Sequence, residues 1–323
     1  MPKHNTQAKL NIQTSAQVAL NGTSNSPFSL PSPSTLHLSY LAPKATNRVE
    51  IKDWAWPVSQ VSNAWWSAVG ESKFTTFSSA MQAIPWTEKV MLGCVTAWES
   101  RLSYRIASRS IARGRDDPRY EELKHRDPEF WKAALFKIFL PEAAFSTLIS
   151  LPFTLPFREN ESSVAFSPGT SDVLRALGVG LFSAGFAMET MADTQLELHR
   201  QGRTDLRRHV VWSIFYLGET LVHLSFVLLN AGNIFNLLTL IGPVANYIFL
   251  RVIGGDAQNE ASQEERYKME DPHMYAQLQT WRREKNSFWP GLQKLTNPWT
   301  WAVVASGLGG VVVEEAIRTS LVR

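Results

Sequence analysis

The sequence predicts an all-α fold, a polytopic bundle of transmembrane helices preceded by a disordered polar arm. Three observations predict it. Of the 323 residues, 44% are hydrophobic and 11% aromatic, enough apolar material for a core or for membrane spans. The apolar residues are gathered into long runs, so the mean hydropathy of −0.15 averages two unlike parts. Residues 1–48 hold no Asp or Glu and are rich in Ser, Thr, Asn and Pro ("NGTSNSPFSLPSPSTLHLSYLAPKATN"), a composition that buries too little apolar surface to fold.

In chain order, the arm over 1–48 comes first. Lacking acids yet short of arginines, it half resembles an organelle transit peptide; with no compact apolar stretch behind a basic start, it does not read as a secretory signal. Residues 49–82 ("DWAWPVSQVSNAWWSAVGESKF" within them) are aromatic but polar and contain no run that could cross a bilayer. Their Trp residues suit a membrane interface, a partner groove or ordinary packing, so the segment supports no assignment.

Residues 83–323 form the expected multi-span domain. The runs are "VMLGCVTAW", then 131–157, 173–192, 210–232, 234–255 and 299–317. A bilayer core of about 30 Å needs roughly 20 largely apolar residues per helix, and four runs approach or reach that length. Lys132, Lys137, Glu142, Arg175, Glu219 and His223 interrupt them. Ionisable groups within spans face a bundle interior or a cavity, while Lys132 and Arg175, near the ends of their runs, are placed to snorkel. Three prolines in "FLPEAAFSTLISLPFTLPF" are expected to kink or end that span, and the glycines of "SGLGGVVV" to form a close-packing face. Lys and Arg concentrate at 101–126 and 200–208, which puts both loops on the cytosolic side with two crossings between them.

Charge and cysteine content narrow the function classes. A net charge of +3 with scattered basic residues gives no nucleic-acid footprint. The single cysteine, Cys94, can form no internal disulfide and has no partner for a zinc motif; it reads as a small apolar core residue. Glu219 and His223 are spaced to share a metal, but no second histidine lies near and a helical Glu–His hydrogen bond is the commoner outcome. No glycine-rich dinucleotide fingerprint and no nucleophile elbow is present.

The informative stretch is "METMADTQLELHRQGR", 188–203, which follows an apolar run. At about 100° per residue, Asp193 lies roughly 40° around from Glu189 and Arg200 roughly 20°, so the three share one stripe. That stripe suits either a grip on a polar ligand or a charge network where the helix leaves the membrane.

Four blocks in order, "TAWESRLSYRIASRSIARGRDDPRYEELK", "ETMADTQLELHRQGR", "VWSI…YLGETLVHLSFVL" and "FLRVIGGD…EERYKMEDPHMYAQLQ…SFWP", resemble the DUF1295-type relatives within the steroid 5-alpha-reductase and sterol-reductase superfamily. The resemblance runs from about residue 90 to 290. It implies an all-helical membrane fold that cradles NADPH among its C-terminal helices and reduces a carbon–carbon double bond in a lipid, steroid or enone. The membrane it implies is the endoplasmic reticulum, with a mitochondrial membrane as the alternative. Carried over residue by residue, Arg101 resembles the arginine on the cofactor phosphates. Glu189, Asp193 and Arg200 resemble the polar stripe gripping the nucleotide, and Glu219 the carboxylate near the nicotinamide amide. Arg251, Arg266 and Tyr267 resemble the last cofactor-facing cluster. Arginines at helix ends can neutralise phosphates with paired hydrogen bonds.

Two departures bear on activity. The family's Arg-His-Pro-Asn stretch before the "YLGE" block is missing, about one helical turn of chain, which is expected to shift everything after Ile214 in rotation and height. Trp98 stands where steroid reductases place a proton-donating tyrosine, and an indole cannot act as a general acid; Tyr104, one turn on, is the alternative donor or else an interface aromatic. The catalytic acid is therefore unassigned. The competing function is that of an impaired family member acting as a membrane scaffold or accessory subunit.

Overall fold

A computed structural model describes residues 40–70, 76–157, 165–200, 208–231, 237–253, 261, 264–269, 271–285 and 296–321. Its helices are α1 (Ala42–Thr46), α2 (Ile51–Trp65), α3 (Phe77–Ala83), α4 (Trp86–Arg113), α5 (Pro118–Arg126), α6 (Phe130–Phe157), α7 (Pro168–Arg200), α8 (Arg208–Ala231), α9 (Leu237–Ile253), α10 (Pro272–Lys285) and α11 (Pro298–Leu321). No strand occurs among the described residues.

Four helices are long and apolar enough to cross a membrane: Phe130–Phe157, Pro168–Leu198, Ile214–Ala231 and Pro298–Leu321. The span in α8 is the central one, with 78% of its most apolar window buried, whereas α11 buries 11% and turns Val304, Leu308 and Val312 outward. An apolar helix can stay bare only against lipid. The predicted run 234–255 becomes the shorter α9, wound tight at Leu237–Leu240 and widened at Phe249–Ile253. In α6 the ladder widens at Leu135–Phe139, just before Pro141, and the helix closes on a tight turn holding Pro156. Widening ahead of a proline relieves the clash of its ring with the carbonyl one turn back.

Packing is set by small residues. A Cβ on Gly185 would lie 2.6 Å from the Gly218 carbonyl oxygen, and one on Gly307 would lie 2.9 Å from that of Gly180. Hence α8 and α11 both approach α7 backbone to backbone, as the glycine run near the C-terminus predicts. Both run antiparallel to α7: Leu229 meets Gly178 while Gly218 meets Gly185, and Glu314 meets Arg175 while Gly307 meets Gly180. The helix pair α2 and α4 is also antiparallel, through Ser103 Oγ to the Trp54 carbonyl at 3.1 Å and Trp65 Nε1 to Thr96 Oγ1 at 3.0 Å. A core of Met91, Leu92, Val95, Trp98, Phe153, Phe182, Phe226 and Leu229 fills the space between. Half-buried Cys94 packs against it.

Arg175 departs from its predicted snorkelling. It is 6% exposed and paired with Glu314, which also accepts from Trp86 Nε1. With two carboxylates of α11 on hand, turning inward satisfies the guanidinium at less cost than reaching for water. Lys132 behaves as predicted: it is exposed, beside Glu129.

The C-terminal ends of α4 and α7 share one end of the bundle, the basic end, because Arg101 and Arg105 of α4 both meet Asp193 of α7. The predicted arm ends earlier than residue 48. Residues 1–39 lie outside the described residues, but Tyr40 donates to the Trp131 carbonyl at 3.2 Å and packs on Phe139. The mixed-charge loop beyond α4 is folded rather than solvated. Helix α4 stops at Gly114 (φ 70°), whose N–H bonds back to Ser110 and Ile111. Buried Asp116 then accepts from Val49 N at 2.9 Å, Glu50 N at 3.0 Å and Lys124 Nζ at 2.7 Å. Lys52 bridges Asp53 and Glu142; burial works against its charge, but those two carboxylates outweigh it and hold the ammonium protonated well above the usual lysine range.

Two measurements check this account. Gly218→Val should lower the melting temperature in detergent by the equivalent of about 1–3 kcal/mol or more, the cost of overpacking. Gly309→Val should leave it unchanged, since nothing lies within 4 Å of a Cβ there. Asp117 caps α5 by accepting from Arg119 N. Burial opposes ionisation of its carboxyl, but Arg119 and Arg113 outweigh burial and hold it below the usual range. A depressed value means stability present in full above about pH 3.9, the ordinary aspartate value, and lost as pH falls through the lower folded value. Asp117→Asn should therefore cost roughly 0.5–1 kcal/mol at neutral pH, with melting curves of the two proteins converging in acid.

Candidate functional site

The stripe predicted on α7 faces α4. Glu189 is fully buried and accepts from Trp98 Nε1 through both oxygens, at 3.0 and 2.9 Å. Arg101 Nη2 donates to Glu189 at 3.2 Å and Nη1 to Asp193 at 2.8 Å, with its guanidinium 5.3 Å over the Phe186 ring. Arg105 Nε lies 3.5 Å from the Asp193 carboxylate and leads the group toward solvent, its side chain 28% exposed. Four residues along one helix is about one turn, which is why Glu189 and Asp193 can hold one guanidinium between them.

Helix α8 closes the group from the other side. Glu219 is 5% exposed and within electrostatic reach of Arg101. From Ile214 onward α8 turns Phe215, Tyr216, Leu217, Val222, Phe226 and Leu229 into the core, and Glu219 and His223 with them. His223 does bond within its helix as expected, though to the Glu219 carbonyl rather than the carboxylate: Nδ1 lies 2.9 Å from that oxygen. Its ring stands edge-on to Trp98 at 5.0 Å.

The structure thus brings together Arg101, Glu189, Asp193 and Glu219. It adds Trp98, Glu99, Arg105 and His223, which the sequence did not select as binding residues. Glu99 is fully buried on α4, with neither carboxylate oxygen bonded. The buried positions of that helix are 88, 91, 92, 95, 98, 99, 102 and 110, a helical stripe over roughly its first five turns, and an acid within that apolar stripe is the signal that marks Glu99 and, nearer the helix start, Glu88. The side chain of Arg200 lies outside the described residues. Arg251, half-buried, ends α9. Arg266 is exposed and stacked over the Tyr267 ring at 5.4 Å, and its neighbour Glu265 pairs with Arg126. Tyr104 is 72% exposed, an outward aromatic rather than a donor at this site.

Charge decides what the group can hold. Glu99, Glu189, Asp193 and Glu219 stand against two guanidinium groups, those of Arg101 and Arg105. Both terminal nitrogens of Arg101 are engaged by carboxylates. A phosphate does not fit here, because the added negative charge would meet an acidic excess. What fits is a group with hydrogen-bond donors, or one that becomes positive. A carboxamide on an aromatic ring that turns cationic on oxidation meets both conditions.

No curated protein and no solved structure matches the chain. Residues 39–280, which contain every residue of the group, match the family described as protein of unknown function (DUF1295). The match spans α1 to most of α10 and covers more than half of the chain, so this protein belongs to the DUF1295 family.

Proposed function

We propose that the protein is a membrane-embedded reductase that uses NADPH to saturate a carbon–carbon double bond in a lipid, steroid or enone substrate. The observation that carries the reading is the buried acidic excess around Trp98 and Arg101. Buried carboxylates left short of partners are costly, several kcal/mol each. A chain that keeps them inside a membrane bundle has a use for them at that depth. The resemblance of the four sequence blocks to steroid and sterol reductases supplies the reaction class.

In this reading Glu219 and Glu189 would hold the nicotinamide end, accepting from its carboxamide and favouring an oxidised, cationic ring. The phosphates then belong further out, where Arg105 reaches solvent and where Arg200 and Arg251 stand in sequence. That reverses the role the resemblance gives Arg101: it orients Glu189 and Asp193 rather than gripping phosphate. Bound NADPH would supply the hydride; the apolar walls of α6, α8 and α9 would exclude water from the alkene. For such lipid chemistry we take the endoplasmic-reticulum membrane as the location, with a mitochondrial membrane as the alternative.

One observation favours a second reading. Both terminal nitrogens of Arg101 are already engaged by Glu189 and Asp193, as a charge network retained in a scaffold subunit would have them. NADPH titration of the detergent-purified protein, read as quenching of its 12 Trp residues, separates the two. Saturable quenching, weakened about tenfold in Glu219→Gln, or about 1.4 kcal/mol, supports the reductase. Absence of quenching, with a lowered melting temperature in Glu189→Gln, supports the scaffold.

A further inference from the structure

At the depth of Trp98 the bundle interior holds more acid than base. Glu99 lies within electrostatic reach of Glu189 and Glu219. Arg101 is engaged by Glu189 and Asp193, and Arg105 by Asp193. Gln60 of α2, level with Glu99 by the Trp54–Ser103 and Trp65–Thr96 bonds, donates to Ser146 of α6 at 2.7 Å and leaves its own Oε1 bare. Farther along α2 and α6, Lys52 and Glu142 answer each other.

His223 adds an independent observation. Its Nδ1 faces a backbone carbonyl, which only accepts, so Nδ1 carries the ring hydrogen. Nε2 is then a bare acceptor, fully buried and without a partner. Around Trp98 the unbonded buried atoms include three acceptors, both Glu99 oxygens and His223 Nε2, and two donors, the Nε groups of Arg101 and Arg105, whose guanidinium groups already face carboxylates of α7. Among the described residues, no three of His, Cys, Asp or Glu are placed to hold a metal ion. A proton is the simplest positive charge that serves.

We propose that Glu99 holds a proton in the resting protein and is the proton store of this site, a role in catalysis that rests on the reductase reading. Saturating an alkene adds a hydride to one carbon, from the reduced nicotinamide, and a proton to the other. Glu99 gives up that proton and becomes a carboxylate; bound NADPH would supply the hydride and be left with a cationic ring, so the net charge of the interior would not change. After release of the oxidised cofactor, Glu99 takes a proton back from water at the basic end.

Infrared spectroscopy of the cofactor-free protein at neutral pH tests this directly, because a protonated carboxyl group has a carbonyl band well above that of carboxylates. The unaltered protein should show the band and Glu99→Gln should lose the component that Glu99 supplies, seen as a negative peak in the difference spectrum. Glu99→Gln should also melt with the unaltered protein, since an amide replaces a neutral acid, whereas Glu189→Gln should melt lower. Should Glu99→Gln fail to fold, Glu99→Asp must shift that component. Absence of the band from the unaltered protein, an undiminished band in Glu99→Gln, or an unshifted one in Glu99→Asp overturns the proposal. The measurement needs no cofactor: a protein that shows the band yet fails to bind NADPH upholds the stored proton and overturns only the reductase reading.

Discussion

The close approach of α7 and α8 at Gly185 and Gly218 governs the interior of this protein. With no side chain on either residue, the two backbones touch, and a Cβ at Gly218 would strike the Glu189 side chain as well, 3.0 Å from its Cγ. Glu189 is thereby held off α8 and turned toward α4. There the indole of Trp98 and the guanidinium of Arg101 receive it. A fully buried carboxylate with donors on both oxygens fixes two helices relative to each other more firmly than apolar contact can, because loss of either donor would strand a charge, at about 3–5 kcal/mol. Backbone approach, carboxylate placement and the α4–α7 junction are one linked arrangement.

Much of this was legible in the sequence, for local reasons. Spans announce themselves by length and apolarity, and the α7 stripe by its angular spacing, so Glu189 and Asp193 were found together before any partner was known. The glycines of α11 signalled close packing correctly. What the sequence could not show was pairing across distance. Arg175 and Glu314 are separated by 139 positions, and no local rule joins them. The same holds for Arg101, which local reading makes a free cation and tertiary structure pairs with two carboxylates of α7. Asp116 and Glu50, each 3% exposed, are a further such case: Asp116 accepts from the Val49 and Glu50 backbone N–H groups, 67 and 66 positions earlier.

Polarity is graded along the bundle axis. At the far end, Arg175 and Glu314 balance each other beside Trp86. At mid-depth, acids prevail around Trp98. At the basic end, Arg105 opens the group to solvent and the Asp116 knot locks the loop above it. The sheath that makes this tolerable is lipid-facing α11 and α7 on one side and aromatic packing on the other. Exposed Trp299 and Trp301 stand where α11 begins and exposed Trp66 and Phe77 at the opposite end, the positions aromatic residues favour at the two faces of a membrane.

Helix α11 lies wholly beyond the family match, yet it supplies the partner for a cation inside the matched region. Ribosomal synthesis delivers α7 to the membrane before α11, so for that interval Arg175 has only Asp172 of its own helix, itself exposed, as a carboxylate partner. A chain cut after the matched region would keep that outer pair and lose the buried one with Glu314.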